Sequence, residues 1–317
     1  MAAFLAALGG VTTIFLIGAF GYLLARAGTV GPDAKKNLPK IITTILLPLY
    51  LFRNMATTMD RAMLLDLLYG AVIPFISIGV SFCVAFALSR FLPVLQGRKG
   101  IFCVGFSFAS AVSIGLPVVA ALFGDEGLPY ALLYLFANAT LFWTFGNYSI
   151  AADGNKGTVR LLSLATLKRV CSPPLIGFLG GVCMVLFDLQ LPGFLDKAVK
   201  YVGDMAIGLG IIYAGVMLYD ASIKASHIDR DVVLVLAGRL LLAPGLVLLL
   251  SLWLPMPVMM RDVFFIVSSL PVLIQVPLLS AHHGADTRYA TLVTGLSTLL
   301  CLVTLPVYMV FLSIFLQ

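Results

Sequence analysis

The sequence predicts an all-α membrane protein of ten transmembrane helices. They form an inverted repeat of five plus five, in which the fourth and ninth helices are broken and cross. Three observations predict this. The 317 residues are 61% hydrophobic and only 11% charged, against about 25% charged in a typical soluble chain, and mean hydropathy is +1.08. Ten apolar segments each approach or exceed the roughly 20 residues that a helix needs to cross the hydrocarbon core. Two of them, the fourth and ninth, carry proline-marked interruptions at matching places in the two halves.

The segments run roughly over 5–25, 38–58, 63–92, 101–123, 128–152, 170–189, 197–219, 231–254, 262–283 and 287–316, as length and apolar content dictate. The first has no basic n-region and stays apolar to Leu24, longer than the core of a cleavable signal. The fourth and ninth contain the interruptions. The fifth holds Asn138, the seventh Asp204 and the eighth Arg239.

Charge placement orients the bundle. Fourteen of the 20 Lys and Arg residues fall in odd-numbered loops and five in even ones, with Arg239 inside a span. Positive loops stay in the cytoplasm, so both termini face outside a bacterial inner (plasma) membrane. Loop 4–5, with Asp125 and Glu126 and no base, fits the outer side. The net charge of +6 thus reads as membrane orientation and not as a nucleic-acid surface. The five cysteines lie singly in apolar runs, which supports neither a metal site nor a disulfide framework. P-loop, H-E-x-x-H and G-x-S-x-G motifs are absent, so no catalytic residues, enzyme activity or cofactor are expected.

The repeat shows at an offset of 160. Gly21 pairs with Gly181, Pro32 with Pro192, Lys40 with Lys200, Asp60 with Asp220, Pro117 with Pro277, Gly124 with Gly284 and Glu126 with Asp286. Five spans per half force opposite orientations, giving repeat units 1–155 and 156–317. Inverted repeats of this kind build secondary transporters, with the site at mid-membrane between the halves.

Span 4 reads Ser107-Phe108-Ala109-Ser110-Ala111-Val112-Ser113-Ile114-Gly115-Leu116-Pro117, and span 9 Ser268-Ser269-Leu270-Pro271-Val272-Leu273-Ile274-Gln275-Val276-Pro277. A proline inside a helix removes a hydrogen bond and clashes with the preceding turn. In lipid such a break survives only inside protein or beside water. Two breaks that meet would aim half-helix N-termini, with their partial positive charge, at one point. That arrangement suits an anion such as a carboxylate. The candidate substrate-binding residues are Ser110, Ser113, Gly115, Pro117, Asn138, Pro271, Gln275 and Pro277. The hydroxyl and amide groups would bind polar atoms, and the prolines would expose backbone. No row of mid-membrane carboxylates is present, so a dedicated acidic relay is not expected; transport would be uniport, proton symport with the substrate, or sodium coupling through carbonyls at the breaks.

On these residues the chain resembles the auxin efflux carrier family of membrane transporters, in its bacterial branch. The similarity runs through Gly18-x-x-Gly21-Tyr22-Leu23-Leu24, Leu47-Pro48 to Phe52, Gly115-Leu116-Pro117 with Gly124, Leu270-Pro271 to Gly284-Ala285-Asp286, and Leu296-Ser297-Thr298 with Thr304-Leu305-Pro306. The resemblance implies a fold like that of sodium/proton antiporters and bile-acid symporters. It also implies a scaffold of spans 1, 2, 6 and 7, through which the protein dimerises, and a moving transport part of spans 3–5 and 8–10. Implied substrates are small organic anions, mono- or dicarboxylates such as malate, malonate or auxin. Where the family often has Asn, this chain has Ser110 and Gln275, which keep hydrogen-bonding ability and change reach. The alternatives are a sodium/bile-acid-type symporter and a membrane sensor or structural partner without flux.

Three further residues have two readings each. Arg239 lies about 12 Å into its span at 1.5 Å per residue; it serves substrate or gating, or it anchors helices. Asp204 serves coupling or sits at the outer interface. His282 and His283 form a titrating gate or lie at the membrane surface. The topology has a direct check: in a cysteine-free background, a cysteine replacing Asn155 is expected to react only with a reagent on the cytoplasmic side.

Overall fold

The computed structural model describes residues 16–58, 70–154, 173–220 and 228–315. Asp60 and Asn155 lie outside them, as do the side chains of Ser113 and His282. Among the described residues all regular structure is helical, apart from one isolated β-bridge. The helices are α1 (Leu16–Arg26), α2 (Pro32–Ile41), α3 (Leu47–Thr58), α4 (Val72–Phe91), α5 (Lys99–Ser107), α6 (Leu116–Phe123), α7 (Leu128–Leu141) and α8 (Asn147–Asp153). They continue with α9 (Pro173–Leu186), α10 (Gly193–Asp220), α11 (Arg230–Ala237), α12 (Ala243–Trp253), α13 (Val258–Ser268), α14 (Gln275–His283) and α15 (Thr287–Phe315). Among the described residues four helical stretches are long and apolar enough to cross a membrane: Val72–Phe91, Asp125–Asp153, Arg230–Trp253 and Thr287–Ile314.

Several helices are joined by wide, five-residue π turns. Ile42–Leu46 joins α2 to α3, Ala111–Gly115 leads into α6, Phe142–Gly146 joins α7 to α8, and Gly238–Leu242 joins α11 to α12. Three of these turns have a cause in the sequence. Pro48, Pro117 and Pro244 each stand two residues beyond one. A proline denies a donor to the carbonyl four residues earlier and crowds it, and widening the turn relieves the clash. In each case the first residue after the turn donates across five residues: Leu47 to Ile42, Leu116 to Ala111 and Ala243 to Gly238. The Leu240 carbonyl, left without its helical donor by Pro244, accepts the Tyr308 hydroxyl of α15 instead.

The second segment differs from expectation by beginning at Pro32 and not near residue 38. Pro32 occupies the first helical position, where its missing N–H costs nothing, and Asp33 in the first turn complements the helix dipole. Glycines then bring α9 and α10 against α3. A Cβ at Gly177 would lie 2.2 Å from the Pro48 carbonyl oxygen, one at Gly181 2.5 Å from that of Phe52, and one at Gly203 2.9 Å from the Tyr50 backbone. Gly177 and Gly181 form the G-x-x-x-G spacing that lets membrane helices touch backbone to backbone.

Polar contacts sort the loops into two ends. At one end Arg98, before α5, pairs with Asp286 at 2.7 Å and Asp229 at 3.4 Å, and its guanidinium lies over the Tyr289 ring. His283 at the close of α14 is buried there and bonds Asn147 at 3.1 Å. At the other end Arg53 pairs with Asp196 at 2.7 Å, and Tyr50 donates to Asp125 at 2.5 Å. Asp204 sits near this second end, exposed and paired with Lys200 at 2.8 Å.

Asp286 caps α15 by accepting the Tyr289 N–H at 2.9 Å. Burial pushes its carboxyl pKa up, but the Tyr289 N–H and the Arg98 guanidinium outweigh burial and hold it below the usual value. A carboxylate with a depressed folded pKa contributes stability above its unfolded value, about 3.9, and loses it as pH falls through the folded one. Asp286→Ala is therefore expected to cost about 1–2 kcal/mol at neutral pH. In a thermal melt the gap to wild type should close on acidification below about pH 4.

Candidate functional site at the crossing of two broken helices

The fourth and ninth segments each stop, run extended for a few residues, and restart as helix. In the fourth, α5 ends at Ser107 and Phe108 is extended (φ −106°, ψ 128°). Ser110 (φ −75°, ψ 61°) then turns the chain into the π turn before α6. In the ninth, α13 ends at Ser268 and α14 begins at Gln275. The two extended stretches meet. Ala109 and Val272 form the antiparallel bridge, and the Ser110 N–H donates to the Pro271 carbonyl at 2.8 Å.

The interruption lies upstream of the position the prolines suggest. The fourth segment breaks at 108–110, seven or more residues before Pro117. Pro277 falls within the first turn of α14, where a helix N–H has no partner to lose, and Pro117 follows the π turn that carries the restarted helix into α6. These prolines belong to the second half-helices; they do not interrupt the first.

Buried backbone groups need partners, and flanking side chains supply them. Asn138 of α7 is 2% exposed. Its Oδ1 accepts the Ala109 N–H at 3.1 Å and its Nδ2 donates to the Ala109 carbonyl at 3.0 Å. Ser297 of α15, fully buried, accepts the Val272 N–H at 3.1 Å through Oγ. Each extended stretch is thus held by a polar side chain from the helix after the one that restarts, Asn138 of α7 beyond α6 and Ser297 of α15 beyond α14.

Arg239 completes the crossing from behind. It is 0% exposed. Nη1 donates to the Ser107 carbonyl at 2.7 Å and Nη2 to the Ser268 carbonyl. Those carbonyls end α5 and α13, so one guanidinium caps both first half-helices at their negative ends. This is the anchoring alternative of its two sequence readings, with acceptors that leave no mark in a sequence.

A cavity of about 390 Å³ borders the crossing. Ile114, Pro117 and Val118 wall one side, with Leu270 and Pro271 beside them. Thr298, Cys301 and Leu305 of α15 close a second side; Gly18 and Tyr22 of α1 and Gly210, Ile211 and Gly215 of α10 form the third. The walls are mainly apolar, with the Tyr22 and Thr298 side chains supplying hydroxyls. Of the sequence-predicted residues, Pro117 and Pro271 line this cavity. Ser110, Asn138 and Pro271 join in the hydrogen-bonded crossing. Gly115 packs so closely on Leu270 that a Cβ there would lie 2.9 Å from its Cδ1. Gln275 and Pro277 do not line the cavity. Gln275 is half-buried, and among the described residues its amide has no hydrogen-bond partner. Ser297 and Thr298 enter the sequence reading only through the Leu296-Ser297-Thr298 motif, with no role attached, and Tyr308 is an ordinary polar position in an apolar helix. Among the described residues no group of His, Cys, Asp or Glu could hold a metal ion.

An apolar helix bundle whose two interrupted segments cross beside a cavity defines a membrane transport protein. The chain belongs to the family described as membrane transport protein, whose model matches residues 6–309; this is the auxin efflux carrier family that its motifs resemble. It is similar to an "Uncharacterized transporter" of Methanothermobacter thermautotrophicus, with 26% identity over 95% of this chain and 96% of that protein. It is also similar to a "Putative malonate transporter" of Rhizobium meliloti, with 25% identity over 90% and 89% of the two chains. A third relative is the mouse "Lysosomal cholesterol signaling protein", with 24% identity over 62% of this chain and 24% of that protein.

Removing Asn138 strands two buried backbone groups. At about 1–3 kcal/mol for each unsatisfied group, Asn138→Ala is expected to lower the melting temperature of the purified protein well below that of Thr140→Ala, a control on the same helix that touches no part of the crossing.

Proposed function

We propose that the protein is a secondary carrier of small organic anions, mono- or dicarboxylates, that works by alternating access across the bacterial inner membrane. The observation that carries this reading is the buried meeting of the two interrupted segments. The helices that restart there, at Ala111–Gly115 into α6 and at Gln275 into α14, place the positive ends of their dipoles at the crossing, which favours negative charge; the Ala111, Ile114, Gly115 and Val276 N–H groups already have backbone acceptors. The Gln275 amide is available to a ligand oxygen. The adjoining cavity gives the rest of a small molecule a place to sit. No carboxylate among the described residues faces the crossing, which further favours an anion.

Ten spans in two inverted repeats, 1–155 and 156–317, account for this architecture. So does a division into a scaffold (spans 1, 2, 6, 7) and a moving part (spans 3–5, 8–10). The close glycine contacts of α9 and α10 on α3 support the scaffold, and the cavity lies where α1 and α10 face the crossing. Exposed apolar side chains on α9 and α10, among them Ile176, Leu179, Tyr201 and Met205, suit a homodimer through the scaffold. The Rhizobium relative makes malonate the first compound to test.

Proteoliposomes holding the purified protein are expected to accumulate labelled malonate or malate above protein-free vesicles, with unlabelled carboxylates competing and their neutral amides failing to compete. Absence of flux for every carboxylate, from protein shown to be folded, would favour a sensor or structural role.

A further inference from the structure

We propose that Arg239 acts as a built-in counter-cation at the crossing, filling the place that a sodium ion would take in a cation-coupled carrier; the proposal rests on the anion-carrier reading above. In carriers built on broken helices, half-helix C-terminal ends and unwound carbonyls are where coupling cations bind. Here the two C-terminal ends that meet, at Ser107 and Ser268, already share one guanidinium. Arginine keeps its proton in proteins, so this charge is permanent.

The local charge balance is simple. Each half-helix end carries about half an elementary charge. The two C-termini together offset Arg239. The two N-termini that restart the segments then remain, with about one positive charge between them. Among the described residues no carboxylate pairs with Arg239. Its Nε, buried, has no hydrogen-bond partner, and neither has the Ser107 Oγ beside it. The guanidinium thus replaces a soluble cation and leaves the positive ends of α6 and α14 to the substrate. A second cation at the same carbonyls would face a fixed like charge. Transport is therefore expected to be independent of sodium, and Arg239 is a positioning residue that sets charge selectivity without touching substrate.

The test uses the full-length protein and chemical rescue. Arg239→Ala empties the carbonyl cradle. Its malonate uptake is expected to fall about tenfold or more, as loss of charge-directed hydrogen bonds implies. Millimolar guanidinium should raise both its melting temperature and its uptake, whereas tetramethylammonium, too bulky and without N–H donors, should do neither, and wild type should respond to neither. Wild-type uptake should be unchanged when sodium is replaced by N-methylglucamine. Should Arg239→Ala fail to fold, Arg239→Lys, which keeps the charge and part of the hydrogen bonding, is expected to retain sodium-independent uptake. Sodium-dependent wild-type uptake, or an Arg239→Ala protein that transports like wild type, would overturn the proposal while leaving the carrier reading intact. Wild-type protein that moves no carboxylate would instead remove the carrier reading on which the proposal rests.

Discussion

The fold depends on satisfying backbone groups where two helices stop inside an apolar interior. A broken helix in hydrocarbon exposes amides and carbonyls that water cannot reach, each costing several kcal/mol if left alone. This protein resolves the problem by making the two breaks partners. Ala109 bridges Val272, and Ser110 donates to Pro271. Asn138 and Ser297 bond the backbone on the two flanks, and Arg239 takes the two terminal carbonyls. Neither break is tenable without the other, so the crossing fixes how the surrounding helices approach.

The same accounting explains what is left over. Side chains and the opposite strand are committed to the carbonyl-rich ends and to the bridge. What stays uncommitted is the Gln275 amide, together with the positive dipole ends of the second half-helices. A site built that way holds a ligand without an exposed cation, and so without a charged side chain that has to be stripped of water each time the cavity empties. The apolar walls from α1, α10 and α15 lie beside the polar ends, and a low-dielectric surround strengthens the interaction of those ends with a charge.

Much of this was legible in the sequence, because lipid imposes strong patterns. Apolar length gave the helices, and mid-segment prolines gave the existence of two breaks. Their location was less legible. Proline marks where a helix can start as readily as where one stops; Pro277 does the former, and Pro117 widens a turn of a helix that has already restarted. The extended residues upstream, Phe108 to Ser110, have no composition that announces a break. Asn138 stood out as an amide in an apolar run, but its partner, the Ala109 backbone, has no side-chain signature. Arg239 was conspicuous as a charge in a span, and here too the acceptors are carbonyls. Ser297 could not be told from other serines in long helices, such as Ser313, which only bonds its own helix.

The most direct test is to see where the anion sits. A structure determined with a brominated carboxylate, located by anomalous scattering, would report it. The account predicts one bromine peak inside the cavity bordered by Pro117 and Pro271, with the carboxylate turned to the N–H groups that open α6 and α14. A peak confined to the charged loops around Arg98 or Arg53, from protein that transports the same compound, would contradict it.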